Sequence, residues 1–125
     1  MIGVQHVDFV SVPVTDVERA KQFYGETLGL EHETDWRDMG AEFRAGQVTV
    51  AVFAPEKMGR EFKSSSTAIA LRVPDVAAAR AKLEAQGIEF HGGDTMDTGV
   101  CHMAFFSDPD GNPLILHNRY APHES

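Results

Sequence analysis

Apolar positions along the chain fall into two kinds of run. One is short and alternating or continuous. It predicts strands at Val7–Val14, Leu30–Thr34, Ala41–Arg44, Val48–Phe53, Thr67–Val73, Ile88–His91, Val100–Ser107 and Leu114–Arg119. The other is spaced by three and four residues and predicts two helices. In the first, Val17, Ala20, Phe23, Tyr24 and Leu28 form one apolar stripe, opened by Thr15-Asp16-Val17-Glu18 as a capping box and closed by Gly29. In the second, Val76, Ala79 and Leu83 form the stripe, with Asp75 as the N-cap, alanine-rich filling, and Gly87 as the stop. Ala45-Gly46-Gln47 reads as a short hairpin turn, and Asp108-Pro109-Asp110-Gly111-Asn112-Pro113 as the tight joint between the last two strands.

The pattern repeats. Val14-Thr15-Asp16-Val17 returns as Val73-Pro74-Asp75-Val76, and Gly29-Leu30-Glu31 returns as Gly87-Ile88-Glu89 at almost the same offset. Each half reads β-α-β-β-β, an α+β arrangement. We read a single domain, 1–125, built of module one (about 6–54), a polar connector (55–66), module two (about 67–119) and a polar tail (120–125). One such half is too small to bury its sheet well, so the modules are expected to pair within or between chains, and a homodimer is expected.

Composition narrows the function classes. At 125 residues, with 42% hydrophobic and 24% charged, the chain matches one globular domain and neither a disordered segment nor a coiled coil. No apolar run approaches membrane-spanning length, and the first residues lack a secretory signal pattern. The lone Cys101 cannot form an internal disulfide, so a cytoplasmic location without a membrane partner is expected. A net charge of −8 argues against a nucleic-acid partner and favours a cationic small ligand. Six histidines raise the question of a metal.

Two segments carry a family resemblance. Asp16-Val17-Glu18-Arg19-Ala20-Lys21-Gln22-Phe23-Tyr24-Gly25-Glu26-Thr27-Leu28-Gly29-Leu30 resembles the D-x-x-R-A-x-x-F-Y-x-x-x-L-G-L segment of the vicinal oxygen chelate superfamily. Ser107-Asp108-Pro109-Asp110-Gly111-Asn112-Pro113 resembles its D-P-D-G-N turn. The superfamily includes glyoxalase I, extradiol dioxygenases and bleomycin-resistance proteins. The resemblance implies two βαβββ modules forming a cupped, largely antiparallel eight-stranded sheet. Family enzymes hold a divalent ion at the floor of the cup with one His or Glu from each of four strands. Carried over by spacing, those positions fall on Phe9, Val50, Ala68 and Ile115, all apolar. Hydrocarbon side chains cannot replace an ion's hydration shell, so no metal ligand and no cofactor is expected at the usual place.

The remaining candidates follow from strand alternation. His117 shares a face with Ile115, Arg72 with Ala68, and Ser11 with Phe9. An imidazole there offers a general base or a donor to ligand, and a guanidinium offers a grip on a carboxylate or phosphate. Trp36, in a charged stretch, is the aromatic expected to be partly exposed and to stack on a flat ligand. His6 is expected on the opposite face from Phe9, His32 and His91 at the periphery, and His123 in the tail. The face of His102 is open, and Cys101 reads as a small buried hydrophobe with no cation near it in sequence except His102. The expected ligand-binding set is therefore Phe9, Ser11, Trp36, Val50, Ala68, Arg72, Ile115 and His117, with His117 the candidate catalytic residue. The leading reading is a bleomycin-resistance-like protein that binds a small organic ligand without metal. Two alternatives stay open. One is a glyoxalase- or dioxygenase-type metalloenzyme with a non-standard site using His117 plus His102. The other is a metal-independent lyase or isomerase using His117 and Arg72.

Overall fold

A computed structural model describes residues 1–122, so His123 lies outside the described residues. The chain divides into two compact units, Met1–Ser64 and Ser65–Ser125. The division falls inside the polar connector. In the first unit β1 (Phe9–Pro13) leads to α1 (Val17–Lys21), then β2 (Glu31–Trp36), β3 (Gly40–Ala45) and β4 (Val48–Phe53). In the second, β5 (Ile69–Arg72) leads to α2 (Val76–Ala85), β6 (Phe90–Asp97), β7 (Cys101–Ser107) and β8 (Pro113–Arg119). Hydrogen bonding sorts the eight strands into two four-stranded sheets, β1-β4-β3-β2 and β5-β8-β7-β6. In each, the first strand runs parallel to the last and the other pairings are antiparallel. The two β-α-β-β-β halves are thus an observed repeat in connectivity and pairing alike.

Each sheet buries one face beneath its helix. In the first, Val12, Ala41, Phe43, Val50 and Val52 are buried with Val17, Ala20, Phe23 and Tyr24. Phe23 and Tyr24 meet edge to face at 5.2 Å, and Tyr24 lies 6.2 Å from Phe43. In the second, Ala104, Phe106, Leu114 and Leu116 are buried with Val76 and Leu83. The alternate residues of every strand face away from the helices, and any chemistry the sheets carry must come from them.

The sixth strand, expected at Ile88–His91, runs Phe90–Asp97 instead, through a glycine pair that breaks the apolar pattern. Three further local features differ from the sequence reading. The first helix is capped by Asp16, whose carboxylate accepts from the Arg19 N–H at 3.0 Å, while the Thr15 hydroxyl accepts from the Arg19 guanidinium. The capping box is displaced because Asp supplies a full negative charge to the helix start. Asp75 caps α2 in the same way, accepting from Ala78 N–H at 3.0 Å. Beyond Lys21 the first helix widens into a π-helical stretch, Gln22–Thr27, with the Leu28 N–H donating to the Phe23 carbonyl. Inside it Gly25 lies so close to Phe43 that an added Cβ would stand 3.1 Å from the ring. The third feature is the start of the connector, where Pro55–Met58 forms a 3₁₀ turn.

The Asp108–Asn112 turn is built around buried polar groups. Asp108 Oδ1 accepts from the N–H groups of Asp110 and Asn112, each at 2.9 Å, and Oδ2 accepts from the Asn112 amide at 2.8 Å. Asn112 Oδ1 accepts in turn from the Ser65 N–H at 2.7 Å, which fastens the start of the second unit to its last hairpin. Among the described residues no helix is long and apolar enough to cross a membrane.

Candidate functional site

The open face of the first sheet holds a cleft. Register sets Phe9 level with Thr49, Ser11 with Ala51, and Ala51 with Glu42. On β2, Thr34 lies level with Glu42 and Trp36 with Gly40. These residues face away from α1. Of them Phe9, Ser11, Trp36, Glu42 and Ala51, with Phe53, Met58 and Arg60, surround a cavity of about 470 Å³. Phe9 is 57% exposed and Trp36 49%, large values for aromatic side chains in a folded chain.

A bulge resets the alternation ahead of Trp36. The β2–β3 register shifts between His32 and Thr34, which leaves Glu33 as an extra residue. His32 therefore faces the helix side, 5.2 Å from the Phe43 ring, while Thr34 and Trp36 face the cleft. Opposite Trp36, Gly40 admits no side chain, because a Cβ would stand 2.5 Å from the Val52 carbonyl oxygen. After Trp36 the chain turns through Arg37 at φ 51°, and Met39 N–H returns to the Trp36 carbonyl at 3.0 Å. Lys57 on the 3₁₀ turn holds that corner, donating to the Asp38 carbonyl oxygen at 3.0 Å and to its carboxylate at 3.1 Å. The Lys57 hydrogen bond keeps the Asp38 carboxyl below the ordinary range.

The cleft has one acid, and it is free. Glu42 is half-buried and makes no hydrogen bond or ion pair with any described residue. Its neighbour on the same face, Arg44, is committed to Glu33 at 3.0 Å. A larger hollow of about 870 Å³ runs along α1, Leu30 and His32, where Asp16, Glu18, Arg19, Lys21 and His32 are each engaged by a neighbour. There Lys21 and His32 reach Asp35 at 3.1 and 2.7 Å, and the Lys21 hydrogen bond foremost holds the Asp35 carboxyl below its ordinary range.

The second sheet's open face is built by the same alternation. Arg72 lies level with His117 and Met103, and Ala70 with Ile115 and Phe105. His91 shares this face, its Nε2 3.0 Å from the Ser107 hydroxyl. His102 does not. It pairs with Asn118 on the helix side, stacks at 4.8 Å on Tyr120 and lies 3.4 Å from Asp97. Asp97 also accepts from Gly99 N–H and the Tyr120 hydroxyl, and these bonds, Gly99 first, lower its carboxyl.

The expected ligand-binding residues therefore divide. Phe9, Ser11 and Trp36 line one cleft in the first unit. Arg72, Ile115 and His117 share a face of the second. Ala68 lies one residue ahead of β5, exposed and in phase with Ala70 and Arg72. Val50 is a correction. It is 2% exposed on the helix side, level with Val10, and the residue level with Phe9 is Thr49. The proposed His117–His102 pair is a second correction, since the two rings point to opposite sides of their sheet. Cys101 is buried as expected, but Arg119, its cross-strand partner, approaches its sulfur at 4.0 Å. His6 is exposed ahead of β1, 2.9 Å from Asp8. Glu42, Phe53, Met58 and Arg60 were missed. Glu42 was readable from the alternation of Ala41-Glu42-Phe43-Arg44, whereas Met58 and Arg60 reach the cleft through a connector that carries no periodic signal.

Residues 3–116 match the family model of the glyoxalase/bleomycin resistance protein/dioxygenase superfamily. The chain belongs to this family. Among solved structures of similar fold is TnmS3, an antibiotic binding protein from Streptomyces sp. CB03234, at TM-score 0.78 and 29% identity over 95% of this chain and 99% of that one. Lactoylglutathione lyase from Agrobacterium tumefaciens shares the fold at TM-score 0.76 and 17% identity, covering 92% of this chain and 94% of the lyase. The uncharacterized protein YaeR of Escherichia coli (strain K12) is 26% identical over 95% of this chain and its own full length.

Family enzymes would ask this chain for several imidazole or carboxylate donors converging from different strands. At the corresponding levels it presents Phe9, Thr49, Ala68 or Ala70, and Ile115. Among the described residues no three His, Cys, Asp or Glu side chains group so as to hold a metal ion. The residues present do not fit a divalent cation.

Proposed function

We propose that the chain is a binding protein for a small, planar organic cation, taken up in the cleft of the first unit without a metal and in a reducing cytoplasm. One observation carries the reading. An exposed tryptophan and phenylalanine flank a half-buried glutamate that has no hydrogen-bond or ion-pair partner among the described residues. Aromatic faces supply stacking area and attract positive charge, and an unpaired carboxylate in their midst gains most from a cationic ligand. The net charge of −8 adds long-range attraction of the same sign. The likeness to an antibiotic binding protein supports the class of function, and the donor set weighs against a metalloenzyme.

Trp36 is the only tryptophan, so its fluorescence reports on the cleft alone. Titration with proflavine, a planar cation, is expected to quench it saturably at micromolar concentration. Glu42→Gln should weaken binding about tenfold, the loss of one charge-assisted contact. Quenching that never saturates, or that Glu42→Gln leaves unaltered, overturns the reading. So does stoichiometric Fe, Ni, Zn or Mn in the purified protein. A homodimer belongs to the same proposal, supported by the exposed apolar residues Met1, Ile2, Val4, Val7 and Phe9. Light scattering that returned the 13.7 kDa chain mass at micromolar concentration would remove it.

A further inference from the structure

Trp36 walls the cleft from a poorly supported strand. β2 lies at the edge of its sheet, is exposed along its whole length, and has its ladder to β3 broken at Glu33. Directly after Trp36 the backbone enters the left-handed region at Arg37, φ 51°, which a residue with a side chain resists. A wall with so few buried contacts swings unless something outside the strand holds it. Two lysines supply that hold. Asp35, the residue before Trp36, meets Lys21 of α1 at 3.1 Å and His32 Nε2 at 2.7 Å. Asp38, two residues after Trp36, accepts from Lys57 through its carbonyl oxygen at 3.0 Å and its carboxylate at 3.1 Å. Two of the chain's four lysines are thus spent on the two aspartates that bracket its one tryptophan. Neither lysine lines the cleft, but Met58 and Arg60, just beyond Lys57, do. The Lys57 bonds therefore tie the wall that carries Trp36 to the wall that carries Met58. A backbone bond, Ala54 N–H to the Met39 carbonyl at 2.8 Å, fixes the base of this corner and leaves its tip to Lys57.

We propose that Lys21 and Lys57 are positioning residues for ligand uptake, a role that rests on the cleft of the first unit being the ligand site. Together they hold the indole of Trp36 at one angle and set the width of the cleft, so that a planar ligand enters a slot already formed. A side chain ordered before binding loses less freedom on binding, and the gain appears as affinity without any new contact. Ion pairs as exposed as these add little to the stability of a fold. Their effect is instead local, on the one side chain that stands between them. All of the residues concerned lie in the first unit.

The test uses the full chain and two readouts, the time-resolved fluorescence anisotropy of Trp36 without ligand and the affinity for proflavine. In the unaltered chain the indole is expected to tumble with the molecule as a whole. Lys21→Met and Lys57→Met keep the aliphatic stem and remove the charge. Each should add a fast nanosecond component to the anisotropy and weaken proflavine about threefold, and the two together about tenfold. The sign is informative. Losing a lysine makes a chain of net charge −8 more negative, which by itself strengthens attraction for a cation. Lys63→Met makes the same charge change away from both pairs and should bind proflavine at least as well as the unaltered chain. Lys57→Arg should restore what Lys57→Met loses, and an unaltered circular dichroism spectrum establishes the fold of each variant. An indole no more mobile in the double variant than in the unaltered chain overturns the proposal. So does an equal loss of affinity in Lys63→Met. Proflavine that failed to bind the unaltered chain would remove the reading of the cleft, while the ligand-free anisotropy would still decide whether the two lysines hold the indole.

Discussion

The two units share strand order, parallel first-to-last pairing, an aspartate helix cap and a glycine stop, yet their open faces carry opposite chemistry. The first shows exposed aromatics around an unpaired glutamate. The second shows an unpaired arginine beside a histidine, with no acid on β5, β7 or β8. What the halves have in common lies beneath the helices and at the turns, where packing and hydrogen bonding leave few options. What separates them lies on the alternate positions of the same strands, which the fold leaves free.

The comparison can be broken most strongly at the last hairpin. The first unit closes β3 to β4 with Gly46 in a short turn, whereas the second closes β7 to β8 around buried Asp108 and Asn112. Asp108→Ala strands two backbone N–H groups and the Asn112 amide, and should lower unfolding free energy by about 3 kcal/mol. In hydrogen exchange the loss of protection is expected in β7 and β8, with β3 and β4 unaffected. Equal loss in both units would mean that they do not unfold separately.

The helix caps sharpen it from the other side. Asp16→Ala and Asp75→Ala remove the same bond at the same place, each 3.0 Å long. Both are expected to cost about 1 kcal/mol by urea denaturation. A loss near zero at Asp16 alone would mean that Thr15 takes over the cap there.

The smallest effect is electrostatic. Asp35 in the first unit and Asp97 in the second both have carboxyls lowered on folding. Each therefore adds stability that is present above about pH 4 and is lost as pH falls through the folded value. Both are solvent-exposed, so the contribution is weak and screened by salt. Lys21 is the foremost cause for Asp35, whereas for Asp97 the Gly99 N–H outranks Tyr120. Lys21→Met should thus flatten the acid limb of the stability–pH curve more than Tyr120→Phe does. The reverse order would show that the backbone bond at Asp97 is the lesser contributor.

Both helices and the strands that bury one face were legible in the sequence by their spacing, whereas β2 is exposed along its whole length and β6 shares only Phe90 and His91 with the stretch expected for it. Strand ends and faces were less legible. Val50 was placed by carrying a spacing across a strand without a gap, and a single step of register moves a side chain to the other side of a sheet. The cap moved one residue for want of any pattern difference between Thr15 and Asp16. Arg119 beside Cys101 is a cross-strand neighbour, which no local window contains. Trp36 was read as exposed, but nothing in Glu31–Trp36 marks Glu33 as the residue that leaves the ladder.

That bulge has a consequence for descent. Without Glu33 the ladder would be regular, with His32 still level with Phe43, Thr34 with Glu42 and Trp36 with Gly40, so every side chain would keep its face. An edge strand that already bulges can lose its extra residue without turning over the side chains beyond it. Length variation in β2 is thereby absorbed, and the aromatic wall of the cleft outlasts it.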